Sequence, residues 1–355
     1  MKPAQGYLEI MDQGFGFLRS IEHNFSPAPD NPFVPAGIIK KMGLREGSFI
    51  QGLGERKSSK QKNLALSRIE QINHLPSKDF LKTSLLQEQV SINPFERYRF
   101  AQSPDDTTGK ALDLIAPIGK GQRGLIISPP KSGKTTVLKH MAESIGANHP
   151  DSTVFMLLVD ERPEEVTDFQ RGLAHTHVLY SSADQNIDQH MRMTRLALHT
   201  AIRCAEAGQD AVVFIDSLTR MTRAFNVKTD SGGRTMTGGL GANAMEFPRK
   251  IFGAARKLEK GGSLTIVATI LVDTGSRMDD IIYQEFKGTA NMDLVLSREC
   301  AEKRIWPAID IKQSGTRKEA LLLSKEEYEL AAHIRSSINT TDKAAAMTQF
   351  LDMLP

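Results

Sequence analysis

The sequence predicts an α/β fold, a mostly parallel sheet with helices on both faces, preceded by a small β-barrel. Three observations predict it. From about Asp106 onward, apolar strand runs alternate with helical stretches, the pattern of consecutive βαβ units. Residues 6–75 read instead as five short strands with turns and one helical insert, the pattern of a small barrel. Between the first strand run of the second region and its first helical stretch stands Gly133-Lys134-Thr135, a loop chemistry that belongs at the C-terminal end of a parallel strand. The expected organisation is a barrel at 1–75, a polar, proline-punctuated connector at 76–105 (Pro76, Pro94, Pro104) and the α/β domain at 106–355.

In the barrel region, strands are expected at Gly6–Met11, Phe15–Ser20, Phe33-Val34, Ser48–Leu53 and Leu64–Ile72, with a turn at Asp12-Gln13-Gly14. A short helix is expected over Pro35–Leu44. Phe15 and Phe17 are two apart, so a strand puts both rings on one face. Gly14 and Gly16 on the alternate positions leave the backbone open to close approach. With Arg19 as a cation for the backbone, the two rings form a stacking platform for unpaired bases. A cluster at Arg56-Lys57, Lys60 and Lys62 adds positive charge nearby, and residues 1–110 hold 15 basic and 12 acidic side chains, which accounts for the whole net charge of +3.

In the α/β region the strand runs are Leu125–Ser128, Val154–Val159, Ala211–Ile215, Leu264–Val272 and Met292–Leu296. Three polar segments follow such runs. Pro129-Pro-Lys-Ser-Gly-Lys-Thr135 precedes the helical stretch Thr136–Ile145, so backbone N–H groups and a helix N-terminus can cradle phosphate oxygens with Lys134 as a point charge. Ser128 stands where such loops usually begin with Gly. Asp160-Glu161 ends a second strand, where a carboxylate can orient a water. Val212–Ile215 leads to Asp216, the usual form of a strand that aims an acid at nucleotide-bound Mg²⁺. Together the three read as one ATP-hydrolysing site. The glycine-rich stretch Ser231–Gly241 is too long for a simple turn and reads as a functional loop.

Cys204 and Cys300 make neither a disulfide framework nor a metal-binding spacing, which fits a reducing cytoplasm. The N-terminus lacks the apolar core of a signal peptide, and no apolar run is long enough to span a bilayer.

Several longer blocks carry a resemblance: Gly121-Gln-Arg-Gly-Leu, Pro129–Thr135, Asp160-Glu-Arg-Pro-Glu-Glu-Val166, Phe252-Gly-Ala-Ala-Arg256, Glu285-Phe-Lys-Gly-Thr289 and Ser314-Gly-Thr-Arg-Lys-Glu319. On these the chain resembles the Rho family of transcription termination factors, ring-shaped RNA-dependent ATPases, from Gly6 almost to the C-terminus. The resemblance implies a RecA-type P-loop ATPase domain, an OB-fold or cold-shock-like barrel and a bacterial, cytoplasmic homohexamer. Its partners would be single-stranded, pyrimidine-rich RNA, RNA polymerase and elongation factors. ATP and Mg²⁺ would be its cofactors. By the same resemblance Pro130, Lys131, Ser132, Gly133, Lys134, Thr135 and Thr136 contact the nucleotide, and Thr135 and Asp216 hold Mg²⁺. Glu161 activates the attacking water, with Arg162 and Arg220 lining the site. Trp306 stacks on adenine, Arg317 is an arginine finger for the neighbouring subunit, and Phe33 joins the base platform. Arg234 in the glycine-rich loop and Arg277 in Asp273-Thr-Gly-Ser-Arg-Met278 grip RNA inside the ring.

There are departures. A small helical bundle usually precedes the barrel in that family, and here it is expected to be absent or very short. Phe33 replaces a usual tyrosine, and the glutamate and tyrosine that complete the base pocket are missing around Gln61–Asn63. Arg234 and Arg277 stand where lysine is more usual, and residues 172–190 match poorly. Two further readings compete with a terminating translocase: an RNA-binding ring or antagonist that no longer terminates, and a rotary ATP synthase subunit sharing the core fold. ATPase rates with and without poly(C) RNA separate all three.

Overall fold

The structure is a computed structural model, and it describes residues 1–56, 63–229, 235–236, 239–241 and 244–355. Lys57, Lys60, Lys62, Gln61 and Arg234 lie outside the described residues.

Five strands build the barrel: β1 (Lys2–Ile10), β2 (Gly16–Arg19), β3 (Phe33–Val34), β4 (Phe49–Glu55) and β5 (Ala65–Ile72). They run in the order β3-β2-β1-β4-β5, and a β3–β5 pairing at Phe33 and Ala65 closes the ring. Alternation decides what goes inside: Leu8, Leu18, Val34, Ile50, Leu66 and Ile72 fill the interior, with Ile39 from the helix Ala36–Lys41 and Phe80 covering one end. Gly16 has a different task from the open backbone expected of it. A Cβ there would lie 2.6 Å from the Glu9 carbonyl oxygen, so the glycine lets β1 and β2 pack closely.

The second body is a twisted sheet whose strands run in the order 177–182, 152–161, 210–216, 263–271, 123–128, 292–295 and 315–316. All neighbours are parallel except the last pair. Alternate residues of each strand face two apolar layers. Ile126, Met156, Phe214 and Val267 meet the helix Lys134–Asn148 through Val137, Leu138 and Met141. Leu125, Phe155, Val213 and Ile266 meet the helix Ile187–Glu206 through Met193, Leu196 and Ala197. Burial on both faces explains the unbroken apolar runs in the sequence. The five expected strand runs are all present. The edge strand His177–Ser182 was not expected; it is short, ends in two serines and lies in the stretch that matched poorly. Part of the expected connector belongs to this body: Ser91–Ile92 pairs with Lys257–Leu258, and Arg97–Tyr98 pairs with Ile118–Gly119.

The seam between barrel and sheet body centres on Glu9, which is 3% exposed. Its carboxylate accepts from Arg19 Nε at 2.6 Å and from Arg192 Nε and Nη2 at 2.5 and 2.8 Å, and Arg192 also donates to the Phe25 carbonyl at 2.7 Å. The Asn24 amide bonds both backbone groups of Tyr180, and Arg45 pairs with Glu206. Burial alone would raise the Glu9 pKa; hydrogen bonds and charge from Arg192 and Arg19 outweigh it and hold the carboxyl below its usual range. A depressed carboxyl contributes stability above its unfolded pKa and loses it as pH falls through the folded one. Glu9→Gln leaves the buried Arg19 and the half-buried Arg192 without their shared counter-charge and should cost about 3 kcal/mol in denaturant unfolding at neutral pH. The variant should also lose the Glu9 share of the wild type's acid sensitivity. An unchanged unfolding midpoint would remove Glu9 from this role.

Candidate nucleotide site and aromatic platform

The phosphate loop leaves the buried strand 123–128 and enters the helix Lys134–Asn148 through Gly133, whose φ of 87° suits glycine. Lys131 holds a left-handed φ of 62°, which turns successive backbone N–H groups toward one concavity. Pro129 and Pro130 contribute no N–H, so the donors come from Lys131 to Thr136. Thr136 is exposed and Thr135 half-buried in the first helical turn. The ring of Trp306 lies against the loop: a Cβ on Gly133 would meet its Cζ3 at 2.4 Å.

Two strand ends bring the acidic groups to this loop. Asp216 ends strand 210–216, fully buried; Lys134 Nζ reaches its two oxygens at 2.5 and 2.6 Å, and the Thr269 hydroxyl donates to it at 2.9 Å. Glu161 ends strand 152–161. The parallel pairing with strand 177–182 skips a residue at Asp160, whose φ is 55°. That irregularity turns the fully buried Glu161 toward Lys134 at 3.9 Å and Arg220 Nη2 at 3.1 Å, and it accepts from the Arg162 backbone N–H at 3.1 Å. Arg220 also donates to the Asp160 carbonyl. Burial and the neighbouring Asp216 charge raise the Glu161 pKa, against the pull of Arg220, Lys134 and the Arg162 N–H. A carboxyl so tuned is a proton acceptor closer to neutral pH than an ordinary glutamate. The Glu161 Oε2 atom is buried without a hydrogen-bond partner among the described residues, so its remaining lone pairs are free to orient a water. Arg162 caps the next helix with its side chain exposed.

One carboxylate and one hydroxyl, Asp216 and Thr135, match what Mg²⁺ takes from proteins when phosphates and waters supply its other ligands. Among the described residues no group of three or more His, Cys, Asp or Glu forms a protein-only metal cage.

Arg317 lies elsewhere. Its strand 315–316 pairs with 292–295 at Met292↔Thr316, and Met292 aligns with Gly124, near the start of the phosphate-loop strand. The exposed Arg317 thus sits at the opposite end of the sheet from the phosphate loop, about five strand residues or roughly 17 Å away. Arg277 is exposed at the start of the helix Arg277–Lys287, just past the end of strand 263–271. That loop is braced by Asp279, which accepts from Thr274 Oγ1 at 2.6 Å and from Arg223 Nε at 2.9 Å. Sequence reading passed over Asp279, Arg223 and Thr269, since nothing in their spacing marks them.

On the barrel surface Phe15, Phe17 and Phe33 are half-buried, with ring centroids 5.5–5.8 Å apart. They form an open aromatic cluster on the face away from the barrel interior. Arg19 departs from its expected place as a free cation. It is 6% exposed, bonded to Glu9 and to Asn31 Oδ1 at 2.5 Å, with its guanidinium 4.9 Å from the Phe17 ring centre. It holds the platform in place from beneath, and its charge is spent on Glu9.

Gly133→Ala should push Trp306 off the loop, since both the φ and the space require glycine. Trp306 is the only tryptophan, so its fluorescence should change while far-UV circular dichroism stays the same, and ATP affinity should fall at least tenfold. Unchanged emission would show that the ring does not rest on the loop.

Residues 109–316 match the model of the ATP synthase alpha/beta family nucleotide-binding domain, and residues 4–78 match that of the Rho termination factor RNA-binding domain. The chain therefore carries an ATP-hydrolysing domain and an RNA-binding one. Transcription termination factor Rho of Aquifex aeolicus is 45% identical over 99% of this chain and 81% of its own length. That of Escherichia coli K12 is 42% identical over 99% of this chain and 84% of its own. Among solved structures, a prototypical ATPase of a type III secretion system superposes with a TM-score of 0.62 at 21% identity, covering 75% of this chain and 81% of that one. The ATP synthase subunit NeqB of Nanoarcheaum equitans gives 0.59 at 20%, over 70% and 64%. These two likenesses concern the fold alone, a RecA-type ATPase core. No helix among the described residues is long and apolar enough to cross a membrane. With a small closed barrel ahead of that core and close relatives along nearly its whole length, the chain belongs to the transcription termination factor Rho family.

Proposed function

We propose that this chain works as a homohexameric, ATP-driven RNA translocase that captures nascent single-stranded, pyrimidine-rich RNA and ends transcription in the bacterial cytoplasm. RNA polymerase and its elongation factors are the machinery it acts on. One observation carries the reading: the nucleotide site is built at one end of the sheet and Arg317 at the other, in a chain that also bears an aromatic RNA platform. Such a site is completed only when a second copy brings its Arg317 to the phosphate loop.

The chemistry follows from the residues. Loop N–H groups and Lys134 hold the phosphates, and Trp306 offers a ring to the base. Thr135 and Asp216 would hold Mg²⁺, which when bound neutralises phosphate charge. Lys134 now balances Asp216; binding of phosphates draws its ammonium toward them and frees the carboxylate. Glu161 orients the attacking water and takes its proton, with Arg220 fixing the carboxylate. The neighbour's Arg317 would stabilise charge on the transferred phosphoryl group, a contribution of about 10³–10⁵ in rate. Arg277, and Arg234 outside the described residues, would grip RNA at the ring centre and move it with each hydrolysis. The commitment of Arg19 to Glu9 and Asn31 favours an altered base preference, as does Phe33 lacking a hydroxyl.

Phe15→Ala with Phe17→Ala should weaken RNA binding by about 1–3 kcal/mol per stacked base in filter binding with poly(C), with the barrel still folded. A folded variant that binds RNA normally places the platform elsewhere, and an unfolded barrel would make the rings structural.

Glu161→Gln should keep nucleotide affinity and lose about 10²–10⁴ in RNA-stimulated turnover. Arg317→Ala should be inactive too. Mixed in one ring the two variants should recover part of the activity, because one interface then pairs an intact Glu161 with an intact Arg317. Verified mixed rings without any recovery would place Arg317 outside the neighbouring site.

A further inference from the structure

The side-chain hydroxyls of Ser128 and Ser132 belong to no step described so far, and both residues are 1% exposed. Their hydroxyl oxygens are 2.9 Å apart across the base of the phosphate loop. Ser132 Oγ donates to the Pro129 carbonyl at 2.8 Å, and Ser128 Oγ also reaches that carbonyl, at 3.2 Å. Each hydroxyl has one proton, so the arrangement that uses the shorter contacts runs Ser128 to Ser132 to Pro129. We propose that Ser128 and Ser132 are positioning residues of the nucleotide site, a two-hydroxyl relay on the Pro129 carbonyl that holds the phosphate loop in its binding conformation before any polyphosphate arrives.

Three physical points support this. A carbonyl turned into the concavity would repel phosphate oxygens, and the relay ties this one to the loop's base instead. Lys131 keeps a left-handed φ of 62° that a non-glycine residue holds only where its surroundings over-determine it. It is flanked by two prolines, each with a fixed φ, and by the bonded Ser132, so both sides of the strained residue are pinned. A preformed loop spends less of its binding energy on ordering itself, and the gain goes equally to ground state and transition state. The relay therefore sets affinity for the phosphate chain and leaves the chemical step alone. It also gives a physical role to the serine found where such loops usually begin with glycine.

Because each hydroxyl reaches Pro129 by itself, either one backs up the other. Ser128→Ala and Ser132→Ala should each weaken binding of inorganic tripolyphosphate, measured by competition against a fluorescent ATP analogue, no more than about twofold to threefold. The double variant frees the carbonyl and should weaken it about tenfold or more, beyond the product of the single effects. KM for ATP should rise in parallel with kcat unchanged. Adenosine affinity and the thermal midpoint should stay within error of wild type. The proposal rests on the phosphate loop being the nucleotide site, and a wild-type chain that binds no ATP would overturn both. Normal tripolyphosphate binding by the double variant would overturn the relay alone. So would a uniform loss of tripolyphosphate binding, adenosine binding and thermal midpoint, which would make the hydroxyls structural only.

Discussion

Everything at the nucleotide site depends on balancing charge where three parallel strands end. Asp216 and Glu161 are both fully buried, and two carboxylates in one dry place repel each other. One ammonium, Lys134, lies within 2.6 Å of the first and 3.9 Å of the second, and Arg220 takes the other side of Glu161. The lysine proposed to counter phosphate charge is thus also the one that balances the protein's own acids. In the proposed function, that shared duty would link phosphate arrival to the release of Asp216 and to the electrostatic surroundings of Glu161. The Glu161 carboxyl, the proposed proton acceptor, is tuned by burial first, then by Asp216, Arg220 and Lys134.

The same economy of charge joins the two bodies of the chain. Glu9 sits on the barrel strand next to the aromatic platform, and its two guanidinium partners point in different directions. Arg19 lies over the Phe17 ring, while Arg192 comes from the helix that packs against the nucleotide-binding sheet. One buried carboxylate therefore ties the platform to the seam with the ATPase core, beside the Asn24–Tyr180 and Arg45–Glu206 contacts. The geometry makes the barrel a part of one continuous structure, with a charged contact at its base where a loosely tethered module would have a linker.

Polarity of the sheet separates Arg317 from the phosphate loop of its own copy. In a parallel sheet every strand presents its C-terminal end to the same edge, and the phosphate loop, Glu161 and Asp216 all use that edge. Arg317 follows a short antiparallel strand that begins near the opposite edge. An arginine there is separated from its own phosphate loop by the length of the sheet and is exposed for contact with another copy. Under the proposed function, division of the site between subunits is a consequence of strand direction.

Local sequence determined a good deal about this protein. The apolar runs, their alternation with helices, the phosphate loop and the aromatic pair are short-range patterns, and the structure places all of them as strands, helices and strand ends in the expected order. Period-two alternation likewise placed Phe15 and Phe17 on one face. Charge partnership was decided only in three dimensions. Arg19 looked like a free cation until Glu9 and Asn31 closed on it, and Gly16 looked open until β1 packed against it. Thr269, Asp279 and Arg223 carry no local signature at all, because their partners lie more than forty residues away in the chain or across a loop. The position of Arg317 relative to the phosphate loop needed the direction of two strands and their register. Periodicity and loop chemistry are properties of neighbours in sequence, whereas ion pairing and reach are properties of neighbours in space.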